Sequence, residues 1–187
     1  MSLPALREAL LDQGGTLADS IVSPVPHPDP DVEPGDGAPQ LAASGPRPAG
    51  RGREYELLLE MILEGSLLHY GAPRLVRCGD PDLALLLGDQ LYALGLGRLA
   101  ELGDLDAVAE LADLISLLAQ AQATSDDRLA DAIWQAGAAA IGWGRTAEHA
   151  AAKALARAGD SGAVDALGAA RDAALAGRAE GHEGGVS

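Results

Sequence analysis

The stretch Leu83–Leu102, LALLLGDQLYALGLGRLAEL, decides the fold. Leu and Ala dominate it, both strong helix formers, and no β-branched residue interrupts it. Asp80 supplies an N-cap, Pro81 takes the first helical position, and Gly103 ends the run. Apolar side chains fall on nearly every side of this helix, so it needs cover on most faces. It is therefore either the central helix of a small body or a helix buried against another chain. Asp89 and Arg98 break the run before it reaches the roughly 18 apolar residues of a spanning helix, so no membrane span is expected.

Working outward, more helices follow on both sides. Arg53–Tyr70 sets Leu57, Met61 and Leu68 along one side, with Leu58, Ile62 and Leu67 widening the stripe. Gly71, Pro73 and Gly79 mark a connector. Asp104 caps a helix that carries Leu105, Val108, Leu111, Leu114, Ile115 and Leu118 to about Ala123. Thr124 or Ser125 caps the next, with Asp126 and Asp127 in its first turn, and it fades at Gly142–Gly144. Two Ala-rich helices follow, Thr146–Ala158 and Ser161–Leu175. Their thin faces bury little area, at roughly 25 cal/mol per Å² of apolar surface, and they are marginal without a partner. The expected architecture is all-α: a helical bundle over residues 53–176 and a flexible tail over 177–187.

The N-terminal part differs. Residues 1–15 read as a short helix: Ser2 caps it, Pro4 lies in its first turn, and Gly14-Gly15 stops it. It is either loosely docked or a peptide for a partner's groove. Residues 16–52 read as a disordered Pro/Gly/Asp-rich linker. Pro24, Pro26, Pro28, Pro30, Pro34, Pro39, Pro46 and Pro48 withhold backbone donors, and few apolar side chains offset the ordering entropy.

Composition supports helix and narrows function. Apolar residues make up 48% of the chain but Phe is absent, so the core is built from Leu, Ala, Ile and Val. The formal charge of −15 repels phosphate backbones and anionic bilayers, which excludes nucleic acid as the expected partner. Cys78 is alone and reads as a small apolar filler. The first residues lack the charged-then-apolar pattern of a signal peptide, and the expected location is the cytoplasm.

No motif completes a catalytic, metal or cofactor site. His27, His69, His149 and His182 are scattered, and each reads as solvated or incidental. Gly95-Leu96-Gly97 lies within a helix and lacks the strand a nucleotide loop needs. Asp126, Asp127 and Asp131 have the composition for Mg²⁺, yet acidic residues opening a helix complement its dipole without any metal. No cofactor is expected.

One segment carries a family likeness. Gly71-Ala72-Pro73, then Leu86-Leu87-Gly88-Asp89-Gln90-Leu91-Tyr92, then the Leu102-Gly103-Asp104 turn, resembles the middle of the all-α trans-isoprenyl diphosphate synthases, or polyprenyl synthetases. The likeness spans about Leu57 to Gly144. In that family paired arginines and two Asp-rich motifs hold Mg²⁺ and diphosphate. Here His69-Tyr70 stands at the arginine pair, only Glu60 and Glu64 lie where the first Asp-rich motif belongs, and the second motif has no counterpart. The resemblance therefore implies part of the isoprenoid-synthase fold without its chemistry: a noncatalytic subunit or regulator packed on a polyprenyl-synthase-type chain in isoprenoid biosynthesis. The alternative is an inert helical scaffold or adaptor, self-associating as a homo-oligomer. In both, the expected packing residues are Leu85, Leu86, Tyr92, Leu94 and Leu96, with Asp89 as a buried polar anchor.

Overall fold

A computed structural model describes residues 2–21 and 37–180, and it is all-α. The helices are α1 (Ser2–Gln13), α2 (Gly15–Asp19), α3 (Ala38–Ala43), α4 (Gly52–Tyr70), α5 (Pro81–Glu101), α6 (Leu105–Ala123), α7 (Asp127–Trp143), α8 (Ala147–Ala158) and α9 (Ala163–Glu180). Among the described residues the only β-type pairing is an isolated antiparallel bridge between Ile21 and Val76. The chain divides into two compact units. One combines Met1–Gln40 with Arg53–Leu105, the other Leu41–Gly52 with Asp106–Ser187.

Local chemistry sets the helix ends. The Asp80 carboxylate accepts from Asp82 N at 3.0 Å and Leu83 N at 3.4 Å, capping α5 as its sequence implies. Thr146 does the same for α8 through His149 N at 3.1 Å. The α7 cap differs from expectation. Asp126, rather than Thr124 or Ser125, accepts from Leu129 N at 2.9 Å, because the preceding helix runs through Ala123 and two turn residues follow it. Gly103 takes φ 79°, a left-handed conformation open to glycine at little cost, and so separates α5 from α6.

In the first unit, α1 and α2 supply Leu6, Leu10 and Leu17 to one core with Met61, Leu68, Leu75, Val76, Leu87 and Leu91. Helix α1 thus packs its leucines into its own unit rather than lying loose on it. Cys78 packs on the same cluster, as an apolar filler should. Helices α4 and α5 cross closely at glycines. A Cβ on Gly65 would lie 3.0 Å from Gly88 O, and one on Gly95 would lie 3.2 Å from Leu58 O. Gly88 and Gly95 are seven residues apart on the buried side of α5, so the leucine-rich pattern conceals a helix-crossing face.

The linker reading is corrected for the described residues. Residues 37–52 fold into α3 and a set of turns, with Ala38, Pro39, Ala42 and Pro48 buried. Residues 22–36, which hold Pro24 to Pro34, lie outside the described residues, as does the tail beyond Glu180. Helix α9 itself continues to Glu180, past the expected end of the domain at 176.

The second unit is organised around α7, whose run Ala136–Gly142 is buried throughout. Helix α7 packs on α8 and α9, and α8 packs on α9. A Cβ on Gly137 would stand 2.6 Å from Leu114 Cδ1, which places α6 hard against the same helix. The Ala-rich α8 and α9 cover one another and α7 through Ala152, Ala156, Ala163, Leu167 and Ala170. Small side chains offset their limited area by letting backbones approach.

The tightest approach in this unit is between residues 45 and 142. A Cβ on Gly45 would fall 2.1 Å from Gly142 O, and Arg47 N donates to that carbonyl at 3.0 Å. Backbone occupies both sides, so no side chain can rotate away. Gly45→Ala is expected to destabilise the unit by about 1–3 kcal/mol, the usual cost of overpacking. Tryptophan-monitored denaturation reads this directly, because Trp134 and Trp143 both belong to this unit. An unchanged midpoint would show that the contact relaxes at no cost.

Candidate functional site

Three groupings of polar or exposed residues stand out. Two of them are internal, and their geometry is structural.

The first lies on α4. Glu60 and Glu64 are one turn apart and face the same side, and both carboxylates are buried. Arg74 bridges them, donating from Nη2 to Glu60 Oε2 at 2.6 Å and from Nε to Glu64 Oε2 at 3.2 Å. Glu64 Oε1 also accepts from Leu75 N at 2.7 Å and Val76 N at 2.9 Å. Gln40 Nε2 donates to Glu60 Oε1 at 3.1 Å. The two glutamates therefore stitch the connector between α4 and α5 back onto α4.

The second joins α6 to α8. Glu110 Oε1 lies 2.7 Å from His149 Nε2, and its Oε2 accepts from Lys153 Nζ at 2.7 Å. All three side chains are buried. Lys153 also donates to Asp113 at 2.8 Å, and Arg157 pairs with the other Asp113 oxygen at 2.8 Å. The reading of His149 as incidental is corrected: it is buried and hydrogen-bonded to a carboxylate. Its signal was the i,i+4 pair His149 and Lys153 on an otherwise alanine face, matched by Glu110 and Asp113 three apart on α6.

Burial alone would raise the Glu110 carboxyl, but hydrogen bonds from His149 and Lys153 outweigh it and hold the group below its ordinary value. A carboxyl lowered in the folded state stabilises above its unfolded pKa, and the benefit is lost as pH falls through the folded value. The stability of this unit is therefore expected to decline as pH drops below 4.5. Glu110→Gln should flatten that acid limb in tryptophan-monitored denaturation, and an unaltered limb would assign acid sensitivity to other carboxylates.

The third grouping is the outer side of α5. Its inner side carries Leu87, Gly88, Leu91, Gly95 and Leu99. The opposite side leaves Leu85 44% and Leu86 64% exposed, with Asp89, Gln90, Ala93, Gly97 and Ala100 also exposed. A Cβ on Gly97 would meet nothing within 4 Å. Only 28% of the most apolar window of this helix is buried, so the expected cover is missing on one side. By length and composition α5 is apolar enough to cross a membrane, as core helices also are.

The six expected packing residues separate accordingly. Leu85 and Leu86 face outward. Tyr92 turns toward α4, its ring stacked on His69 at a centroid distance of 5.2 Å. Leu94 packs on the core of its own unit, and Leu96 is half-buried. The buried-anchor reading of Asp89 is corrected. Its side chain is 68% exposed, with Oδ1 3.2 Å from His69 Nε2. The Tyr92 hydroxyl is pushed up to about 12, chiefly by burial, against a lowering by Ser66.

Elsewhere, Arg128, Asp131, Gln135, Leu167 and Arg171 line an open cleft of about 280 Å³ between α7 and α9, with charges of both signs. Asp126 is engaged as a helix cap. Among the described residues no three His, Cys, Asp or Glu side chains converge in a way that could hold a metal ion.

Fold and surface together define a class: an all-α protein with exposed leucines on one side of a long helix. No family model, curated protein or solved structure matches the chain.

Proposed function

We propose that the protein is a noncatalytic helical interaction subunit that docks on another protein through the outer side of α5. The observation that carries this reading is the exposure of Leu85 and Leu86 on a helix whose opposite side is packed. Adjacent exposed leucines continuous with small apolar residues on one regular element are the kind of ground that an interface uses. The internal carboxylates support a structural role, since Glu60, Glu64 and Glu110 are all engaged by cations or backbone donors. The partner class implied by the resemblance at Leu86–Tyr92 is a polyprenyl-synthase-type chain, which would place the protein in isoprenoid biosynthesis. A scaffold or adaptor outside isoprenoid chemistry would use the same surface.

The test compares capture by the tagged full-length chain with capture by its Leu86→Asp variant. Leu86 is exposed, so helicity and melting should hold while the partner is lost. Stoichiometric recovery of a synthase bearing intact Asp-rich motifs supports the isoprenoid version, and a captured protein of another kind supports the adaptor. Capture indifferent to Leu86→Asp removes α5 from the interface. Prenyl transfer by the purified chain with Mg²⁺ would overturn the noncatalytic reading.

A further inference from the structure

The charges on the outer side of α5 have one sign. Asp82, Asp89 and Glu101 are exposed along it, and the one arginine of the helix, Arg98, is half-buried on the flank. Ala93, Gly97 and Ala100 make this side low from its middle to its C-terminal end, while Leu85 and Leu86 stand up toward the N-terminal end. A helix laid here gains most by bringing what the surface lacks: bulky apolar side chains over the low ground and a cation opposite Asp89.

Granted the docking role of α5 proposed above, we infer that its occupant is a different chain presenting an amphipathic helix, with leucine-type residues in a stripe and a lysine or arginine at its centre. A second copy of this protein brings no cation to this side, whose exposed charges are all acidic, and each chain carries a net charge of −15 that opposes the approach. A bilayer fits no better. Asp89 sits in the middle of the apolar ground, and the chain's charge opposes anionic headgroups. Complementary charge across such a surface fixes partner choice and register more than it adds affinity.

The probe is a labelled amphipathic Leu/Ala helical peptide with one central Arg, titrated into the full-length chain. Controls are a twin with Glu in place of the Arg and a scrambled peptide of the same composition. The Arg peptide is expected to bind best, with the Glu twin weaker by up to about fivefold, as for a rim charge pair. Asp89→Arg should reverse that order. Gly97→Leu should weaken binding while leaving the fold intact, since nothing lies within 4 Å of the added carbon. Equal binding of the Arg and Glu peptides, still sensitive to Gly97→Leu, overturns the cationic partner and leaves the docking surface standing. Binding indifferent to both Gly97→Leu and Leu86→Asp, or none with any peptide, overturns both. A dimer in sedimentation equilibrium that Leu86→Asp dissociates would assign the surface to a second copy instead. Leu86-dependent sedimentation with phosphatidylcholine vesicles would assign it to a bilayer.

Discussion

Glu110→Ala is expected to cost the second unit about 3–5 kcal/mol, the scale for breaking a buried ion pair by removing one partner. The carboxylate serves two donors at once, His149 at 2.7 Å and Lys153 at 2.7 Å. Its loss leaves His149 without that acceptor and Lys153 relying on Asp113, which is 42% exposed and well solvated. Lys153→Met removes one member and leaves Glu110 paired with His149, so it should cost less. The combined change Glu110→Leu, His149→Leu and Lys153→Met is expected to be neutral or stabilising, because an apolar contact replaces desolvated charges. Tryptophan fluorescence against denaturant ranks the variants for this unit alone. If the triple variant proves as damaging as Glu110→Ala, the cluster contributes net stability as well as selecting the pairing of α6 with α8.

Glu64→Leu is the second large effect, expected at about 3–5 kcal/mol in the first unit. Two buried backbone donors, Leu75 N and Val76 N, lose their carboxylate acceptor together with one arm of the Arg74 clamp. Glu64→Gln keeps an acceptor oxygen but removes the charge, so it should cost only about 1–2 kcal/mol. Tyrosine fluorescence reads this unit, because Tyr55, Tyr70 and Tyr92 all lie in it. Amide exchange at Leu75 and Val76 should accelerate in both variants, most in Glu64→Leu. Unchanged exchange would mean that another acceptor takes over.

The helices were legible in the sequence because their signals are local. Asp80-Pro81 and Thr146 name their starts, and a 3.6-residue period marks α4, α6 and α7. What failed was reading polarity one residue at a time. Glu60 and Glu64 look like a stray remnant of a metal motif until Arg74 arrives from the connector. His149 looks incidental until α8 is laid on α6. Residues 37–52 look like linker from their prolines and glycines, yet Gly45 is there because the backbone at Gly142 lies against it.

The sequence by itself determined the all-α class, the positions of most helix ends and the apolar richness of α5, since propensity, capping and periodicity act within a few residues. Only the tertiary structure decided which sides of those helices are covered. Glycines at 65, 88 and 95 bring α4 and α5 into contact and consume one side of α5, while Leu85 and Leu86 on another remain exposed. Burial depends on which backbones can approach, and that is set by pairs of residues far apart in the chain.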